Sequence, residues 1–191
     1  MAYVTLATLR SYLNLDTGAA DTRLQACLDA AQAYIDSETG RTFEASTASV
    51  RTFDAVGNVD GRTLMFDVDL CSTAACTNGD GSVIAASDFS MEPRNGPRYY
   101  GITLKASSGI AWTYQDDPED AISISGKWAY STTAPADIQQ ACLLIAAQQY
   151  KLQDNPADAD RIISVDGVVI VPSSVPRFAQ GVIQRYRRIS F

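Results

Sequence analysis

The 191-residue sequence contains no histidine. A chain without histidine cannot by itself form a Ser-His-Asp or Cys-His nucleophile system, and it cannot form a zinc site that uses histidine. It also lacks the side chain best suited to proton transfer near neutral pH. Hydrolases that work with a pair of carboxylates need no histidine and are not excluded.

Long apolar runs are absent as well. The longest, residues 141–147, is far shorter than the roughly 20 residues that cross a membrane. The N-terminus MAYVTLATLRSYL has no basic segment followed by an apolar one, which argues against a secretory signal. Because 46% of the residues are hydrophobic, wholesale disorder is excluded. We therefore expect a soluble protein, made and used in a reducing compartment, that contacts no membrane.

Cysteine is scarce, with four residues at positions 27, 71, 76 and 142 and no CxxC pair. Cys27 and Cys142 fall on the apolar faces of predicted helices, where a thiol behaves as a small hydrophobic group. Cys71 and Cys76 are five residues apart and would point to opposite sides of a regular strand. The spacing favours free thiols over a disulfide or a metal site, and we expect no metal and no cofactor.

Basic residues are concentrated at one end of the chain. The whole sequence has 15 basic and 22 acidic residues, a net charge of −7. Residues 176–191 contain four arginines and no acid, which leaves eleven basic residues and a net charge of −11 on residues 1–175. An acidic body disfavours tight non-specific DNA binding, because that requires clustered Lys and Arg. A basic tail on such a body indicates docking on something acidic.

The two ends of the chain are predicted to be helical. Leucines at 6, 9 and 13 follow a cap at Thr5, and a capping box at Thr22 and Gln25 is expected to start a second helix that ends at Gly40. Its apolar face is Leu24, Cys27, Leu28, Ala31 and Ile35. A third helix over 135–153 is apolar nearly all round and belongs in the centre of a bundle.

The last part of the chain is predicted to be a hairpin followed by a helix. Two β-branched runs flank Asp166-Gly167, a hairpin signature. Ser174 and Pro176 then open the last helix. Its predicted apolar stripe is Phe178, Val182, Tyr186 and Ile189.

The middle of the chain has the pattern of β structure. Candidate strands lie at 50–55, 62–68, 83–86, 99–105 and 121–130, and Asn78-Gly79-Asp80-Gly81 is expected to be a hairpin tip. We predict an α+β protein: a discontinuous helical bundle with an inserted antiparallel β module. The helical domain is residues 1–42 with 132–191, and the module is residues 43–131.

Two groups of carboxylates are candidates for a catalytic or metal site. Asp116, Asp117, Glu119 and Asp120 lack the spacing of a calcium loop, and Pro118 indicates a solvated turn. Asp67 and Asp69 would share one face of a strand, close enough for one to raise the pKa of the other if both were buried. The sequence around them shows no aromatic-rich segments that would line a cleft. We expect no catalytic residue in either group.

The C-terminal sequence QRYRRISF is the most suggestive local feature. It is either an ordinary solvated helix end, where arginine complements the helix dipole, or a docking peptide. In a docking peptide the arginines would pair with carboxylates, and Tyr186 and Phe191 would supply apolar contacts. The spacing alone does not decide between the two.

Four blocks of sequence follow one another along most of the chain. They are LATLRSYLNLD with DTRLQACLDAAQAYIDSETGRTF, then TNGDGSVIAASDFSMEPRNGPRYYGITLK, then ISISGKWAYSTTAPADIQQACLLIAAQQYKLQD, then VPRFAQGVIQRYRRI. In this order they resemble the head–tail connector proteins of tailed bacteriophages, also called head-completion or adaptor proteins. The β-rich middle and residues 156–172 depart from the compact members of that family, which are nearly all helical.

The resemblance implies a mechanical role and no enzymatic activity. Such proteins assemble in the host cytoplasm and sit in the neck of the virion as a cyclic, dodecameric ring beneath the portal protein. The ring extends the DNA channel, lets genomic DNA pass through its lumen without specific binding, and carries the stopper or tail-completion protein. By analogy, the C-terminal helix would dock on the portal through Arg177, Arg185, Tyr186, Arg187, Arg188 and Phe191.

Three other functions were considered. A stopper or tail terminator would be more uniformly β. A histidine-free hydrolase built on Asp67, Asp69 or the acidic loop would need a concave carboxylate pair. A DNA-binding module is disfavoured by the net charge of −11 on residues 1–175.

Overall fold

The computed structural model describes residues 2–16, 18, 20–96, 98–154, 162–163, 169–170 and 175–188. The chain divides into two compact units, and each is described by itself. Arg41–Thr133 forms the β unit, and Ala2–Gly40 with Ala134–Phe191 forms the helical unit. The protein is therefore of the predicted α+β class, a discontinuous helical bundle with an inserted antiparallel β module. The division into a helical domain of residues 1–42 with 132–191 and an inserted module of residues 43–131 stays a prediction.

The β unit is built from eight short strands. In chain order they are β1 (Ser49–Phe53), β2 (Val59–Asp60), β3 (Thr63–Leu70), β4 (Ser72–Thr77), β5 (Val83–Ile84), β6 (Phe89–Glu92), β7 (Tyr99–Leu104) and β8 (Ile122–Lys127). One sheet has the order β1-β8-β4-β5, the other has the order β2-β3-β7-β6, and neighbouring strands are antiparallel.

Both sheets contribute to one buried cluster, so their apolar faces pack together. Phe53 lies opposite Ile122 in the first sheet, and Leu64 lies opposite Ile102 in the second. The period-two alternation of β8 places its isoleucines in this core and its serines outside it. Three rings with centroids 5.1 to 5.6 Å apart lie within the cluster: Phe53, Phe66 and Trp128.

Each predicted run of β residues contains a strand, but β2, β4 and β6 were not predicted. The sequence of β4, STAACT, is small and polar and has no apolar alternation. It is held by β8 on one side and by the short β5 on the other. The predicted hairpin tip is confirmed between β4 and β5, where the backbone N–H of Asn78 donates to the carbonyl of Ser82 at 2.8 Å.

The helical unit contains four helices among its described residues. They are α1 (Leu6–Leu13), α2 (Asp21–Thr39), α3 (Ala136–Asp154) and α4 (Arg177–Tyr186). Two short strands, β9 (Ile162–Ile163) and β10 (Val169–Ile170), pair antiparallel between α3 and α4. They confirm the predicted pairing, while Asp166-Gly167 lies outside the described residues. Helices α2 and α3 each contact the other three helices, and α3 is buried on several sides, in line with the predicted position in the bundle.

The ends of α1 and α2 agree with the predictions from the sequence, except at the start of α2. Thr5 caps α1 through its hydroxyl, which accepts from the N–H of Thr8 at 3.2 Å, and Gly40 ends α2 with φ +63°. The capping box at Thr22 is wrong, because the N-cap of α2 is Ala20 and the helix begins at Asp21, two residues earlier than predicted. Asp21 then lies in the first turn, where the side chain of Arg10 donates to its carboxylate at 2.8 Å. The predicted apolar face of α2 is buried.

Candidate docking surface

Helix α4 is held in the bundle by a narrow apolar face. Ala179, Val182 and Ile183 are buried at spacings of three and four residues, and the half-buried Tyr186 continues the same row. Pro176 is the N-cap of the helix rather than part of its first turn, and Ser174 lies outside the described residues. The helix contacts α3 and α2, and the residues of this apolar face are the ones that become buried.

The C-terminal end of α4 is fixed to two other helices. The phenolic oxygen of Tyr186 donates a hydrogen bond of 3.0 Å to Asp137 in the first turn of α3, and the guanidinium of Arg185 lies 3.5 Å from the same carboxylate. The backbone N–H of Arg188 donates to the carbonyl of Thr39 at the end of α2, at 2.8 Å. These contacts place residues 185–188 firmly against the bundle.

The predicted docking residues fall into three groups. Arg177 and Arg187 are exposed, and the side chain of Arg185 is 65% exposed despite its pairing with Asp137. Tyr186 and Arg188 are half-buried and make the internal contacts just described. Phe191 lies outside the described residues, so nothing is said of its surroundings.

Phe178 is the residue that sequence reasoning placed wrongly. The predicted apolar stripe included it, but its side chain is 52% exposed. A signal was present in the sequence: Ala179, Val182, Ile183 and Tyr186 follow the i, i+3, i+4, i+7 pattern of a buried face. Phe178 lies beside that face, and its size alone made it look like a core residue. Ile189, the last member of the predicted stripe, lies outside the described residues.

We define the outer face of α4 as Arg177, Phe178, Gly181, Gln184 and Arg185, all exposed. Its charged members are arginines, and residues 176–191 contain no acid. The carboxylate found beside it belongs to Asp137, on another helix. The outer face therefore presents an aromatic ring between cationic side chains.

The two carboxylates of β3 lie in different surroundings. Asp69 is nearly buried and forms an ion pair with Arg41, and a guanidinium nitrogen of Arg98 lies 3.6 Å from its second oxygen. Asp67 is exposed. The carboxylate of Asp69 is therefore engaged by two arginines of the β unit.

The acidic segment 116–120 is an exposed turn, as the sequence predicts. Asp120 accepts a hydrogen bond of 2.5 Å from the hydroxyl of Thr52, and its backbone N–H donates to the carboxylate of Asp54 at 2.9 Å. Within the described part of the chain, no group of three or more His, Cys, Asp or Glu side chains is placed to hold a metal ion.

All four cysteines are free, which confirms the prediction for the thiols. Cys27, Cys76 and Cys142 are buried, and Cys71 is half-buried beside an open cleft of about 420 Å³ in the β unit. Burial raises the pKa of every one of these thiols, to about 12 for Cys76 and Cys142. They are protonated near neutral pH, so none is an activated nucleophile.

None of the described helices is both long enough and apolar enough to span a bilayer.

Comparisons with known proteins give matches among solved structures. A chain in the neck of an empty gene transfer agent particle, computed with C6 symmetry, has a TM-score of 0.61 at 19% identity; the match covers 97% of this chain and 90% of that one. A chain in the virion of the native particle has a TM-score of 0.57 at 22% identity, with 97% and 90% covered. A chain in the neck of the native particle, computed with C12 symmetry, has a TM-score of 0.57 at 18% identity, with 97% and 89% covered.

No family model and no curated protein matches the chain. At these identities the structural matches establish a shared fold. They extend over both units, because they cover nearly the whole of each chain.

Proposed function

We propose that this chain is a structural protein of the neck of a phage-like virion, where it forms an adaptor ring between the portal protein and the stopper or tail-completion protein. The observation that carries the proposal is the shared fold over 97% of the chain with proteins from the neck of a gene transfer agent particle. The order of the four sequence blocks, which resembles the connector family, supports the same role independently of the fold.

The ring is expected to contain twelve copies, in line with the C12 symmetry of one matched neck structure. A closed ring needs two different, complementary faces on each subunit. The β unit and the helical unit are built from different elements and can supply them. A net charge of −7 suits a channel through which genomic DNA passes without specific binding, because an acidic lining repels phosphate.

The helix α4 is proposed as the portal-docking element. Arg177, Arg185 and Arg187 are the exposed cations of this helix and its C-cap, and they fit an acidic partner surface. Tyr186 and Arg188 contribute by fixing the end of the helix, through Asp137 and Thr39. Because residues 185–188 belong to the bundle, point variants of α4 are a better test of docking than removal of residues 184–191.

The experiment is electron microscopy of particles produced without this gene. We expect heads with a portal and packaged DNA, many of them leaking, beside separate unattached tails. Supplying the gene on a plasmid should restore joined particles. Complete, infectious particles in the absence of the gene would contradict a role at the head–tail joint.

The copy number is tested by native mass spectrometry of necks released from complete particles. Twelve copies support the adaptor layer. Six copies would assign the chain to another layer, such as a stopper or tail terminator, in line with the C6 symmetry used for the other neck structure. Hydrolase activity that is present in the natural protein and lost in a folded Asp67→Asn variant would instead support the carboxylate-hydrolase alternative.

A further inference from the structure

Gly181 lies in the middle of α4, at a position where the described residues leave open space. A Cβ atom added there would meet no atom of the described residues within 4 Å, apart from its chain neighbours and the backbone of its own helix. Glycine in a helix interior is less stable than alanine, because it loses more backbone freedom on folding. The packing of the described residues therefore does not require a glycine at this position.

The glycine lies in a row with two exposed side chains. Phe178, Gly181 and Arg185 are spaced by three and four residues, which places them on one line along the helix. Phe178 is 52% exposed at one end of the line, and the side chain of Arg185 is 65% exposed at the other. Between them the missing side chain leaves the helix backbone open to close approach, with Arg177 one turn before the glycine.

We propose that the outer face of α4 docks into an apolar recess with an acidic rim on its partner. Phe178 fills the recess, Gly181 lets the partner's chain approach the helix backbone, and Arg177 and Arg185 pair with carboxylates at the rim. This proposal rests on the proposed function, in which the partner is the portal protein, and it adds the residues and the chemistry of the contact.

Charge and residue type determine this choice of partner. The surface is cationic on a chain whose remaining residues carry −11, so an acidic protein surface is complementary to it. A nucleic acid would be repelled by the rest of the chain. Aromatic and arginine side chains are also the types that carry most of the binding energy at protein interfaces.

The sharpest variant is Gly181→Ala, because it separates docking from stability. The added methyl group fits within this chain, so the variant should unfold at a temperature about 2 °C higher than the natural protein. The methyl group fills the space that the partner needs, so binding to the partner should weaken at least tenfold. The assay is co-sedimentation with portal-bearing, DNA-filled heads that lack this protein. A variant that is more stable and binds equally well would overturn the role of the glycine.

Phe178→Ser and Arg177→Glu test the other two contacts in the same assay. Each should leave the thermal unfolding temperature within about 2 °C of the natural protein, because both side chains are exposed, and each should weaken binding at least tenfold. The matched controls are Tyr12→Ser, an exposed aromatic on α1, and Lys151→Glu, an exposed cation on α3. Both controls should bind like the natural protein.

The outcomes distinguish this inference from the proposed function. If the natural protein does not bind the heads at all, the proposed function fails and this inference fails with it. If the natural protein binds and the three α4 variants bind equally well, only this inference is overturned. A gel shift with duplex DNA that is abolished by Arg177→Glu would also overturn it, in favour of a nucleic-acid surface.

Discussion

The phenolic oxygen of Tyr186 lies 3.0 Å from a carboxylate oxygen of Asp137, and this hydrogen bond joins the last turn of α4 to the first turn of α3. The two residues are 49 positions apart in the sequence. The contact joins the end of α4 to the bundle and adds to the buried row of Ala179, Val182 and Ile183 on the same helix.

Tyr186→Phe should remove this hydrogen bond and keep the ring. We expect the free energy of unfolding to fall by about 0.5–1.5 kcal/mol, the usual net contribution of a hydrogen bond. Urea denaturation measures it, and a double-mutant cycle with Asp137→Ala should give a coupling of similar size. Tyr12→Phe, at an exposed tyrosine of α1, is the control and should change stability by less than about 0.5 kcal/mol. A coupling near zero would show that the hydrogen bond does not hold α4 in place.

Asp69→Ala should destabilise the β unit strongly. It removes the ion pair between Asp69 and the side chain of Arg41, which is only 10% exposed. Removing one member of a buried pair costs about 3–5 kcal/mol, because the charge of the other member stays buried. Arg98 should lose its contact as well and become more mobile above the ring of Tyr130.

The control for this change is Asp60→Ala at the exposed end of β2, for which we expect a change below about 0.5 kcal/mol. Both variants can be compared by urea denaturation followed through tryptophan fluorescence. Equal stability of the two would mean that water replaces the carboxylate beside Arg41.

Asp36→Asn should stabilise the protein at pH 7. Burial raises the pKa of Asp36 above its ordinary value of 3.8, although the hydroxyl of Tyr3 donates to the carboxylate at 2.5 Å and offsets part of the effect. Between the unfolded and the folded pKa the native state binds more protons than the unfolded state, so stability falls as the pH rises through that window. Asparagine cannot ionise and avoids this loss.

Thermal unfolding as a function of pH measures the effect. We expect the advantage of Asp36→Asn to be full at pH 7 and to shrink as the pH falls to 3.8 and below. Asp29→Asn, at an exposed position of the same helix, should change stability by less than about 0.5 kcal/mol at pH 7. A larger advantage for Asp36→Asn at low pH than at pH 7 would contradict the raised pKa.

Several features of the fold could be predicted because they depend on neighbours in the chain. The cap at Thr5, the end of α2 at Gly40 and the turn at Asn78 each follow from the conformational preference of one or two residues. The alternation in β8 and the apolar surface of α3 follow from periods of two and 3.6 residues. These signals are local, so they gave the class of each element and its approximate bounds.

The candidate docking surface could be predicted only in part. The concentration of arginine at the C-terminus and the helix that carries it are visible in the sequence. The side on which Phe178 lies is not decided by its hydrophobicity, because the row that begins at Ala179 has more partners in the bundle and is the one that becomes buried. The open space at Gly181 is visible only when the surrounding helices are in place.

The sequence by itself determined the α+β class, the four helices, the free thiols and the uneven charge of this protein. The tertiary structure alone decided that STAACT becomes a strand, that Asp69 pairs with Arg41, and that the hydroxyl of Tyr186 donates to Asp137. The physical reason is the same in each case. These outcomes depend on contacts between residues far apart in the chain, and the free energy of such contacts exceeds the weak preference of any single residue.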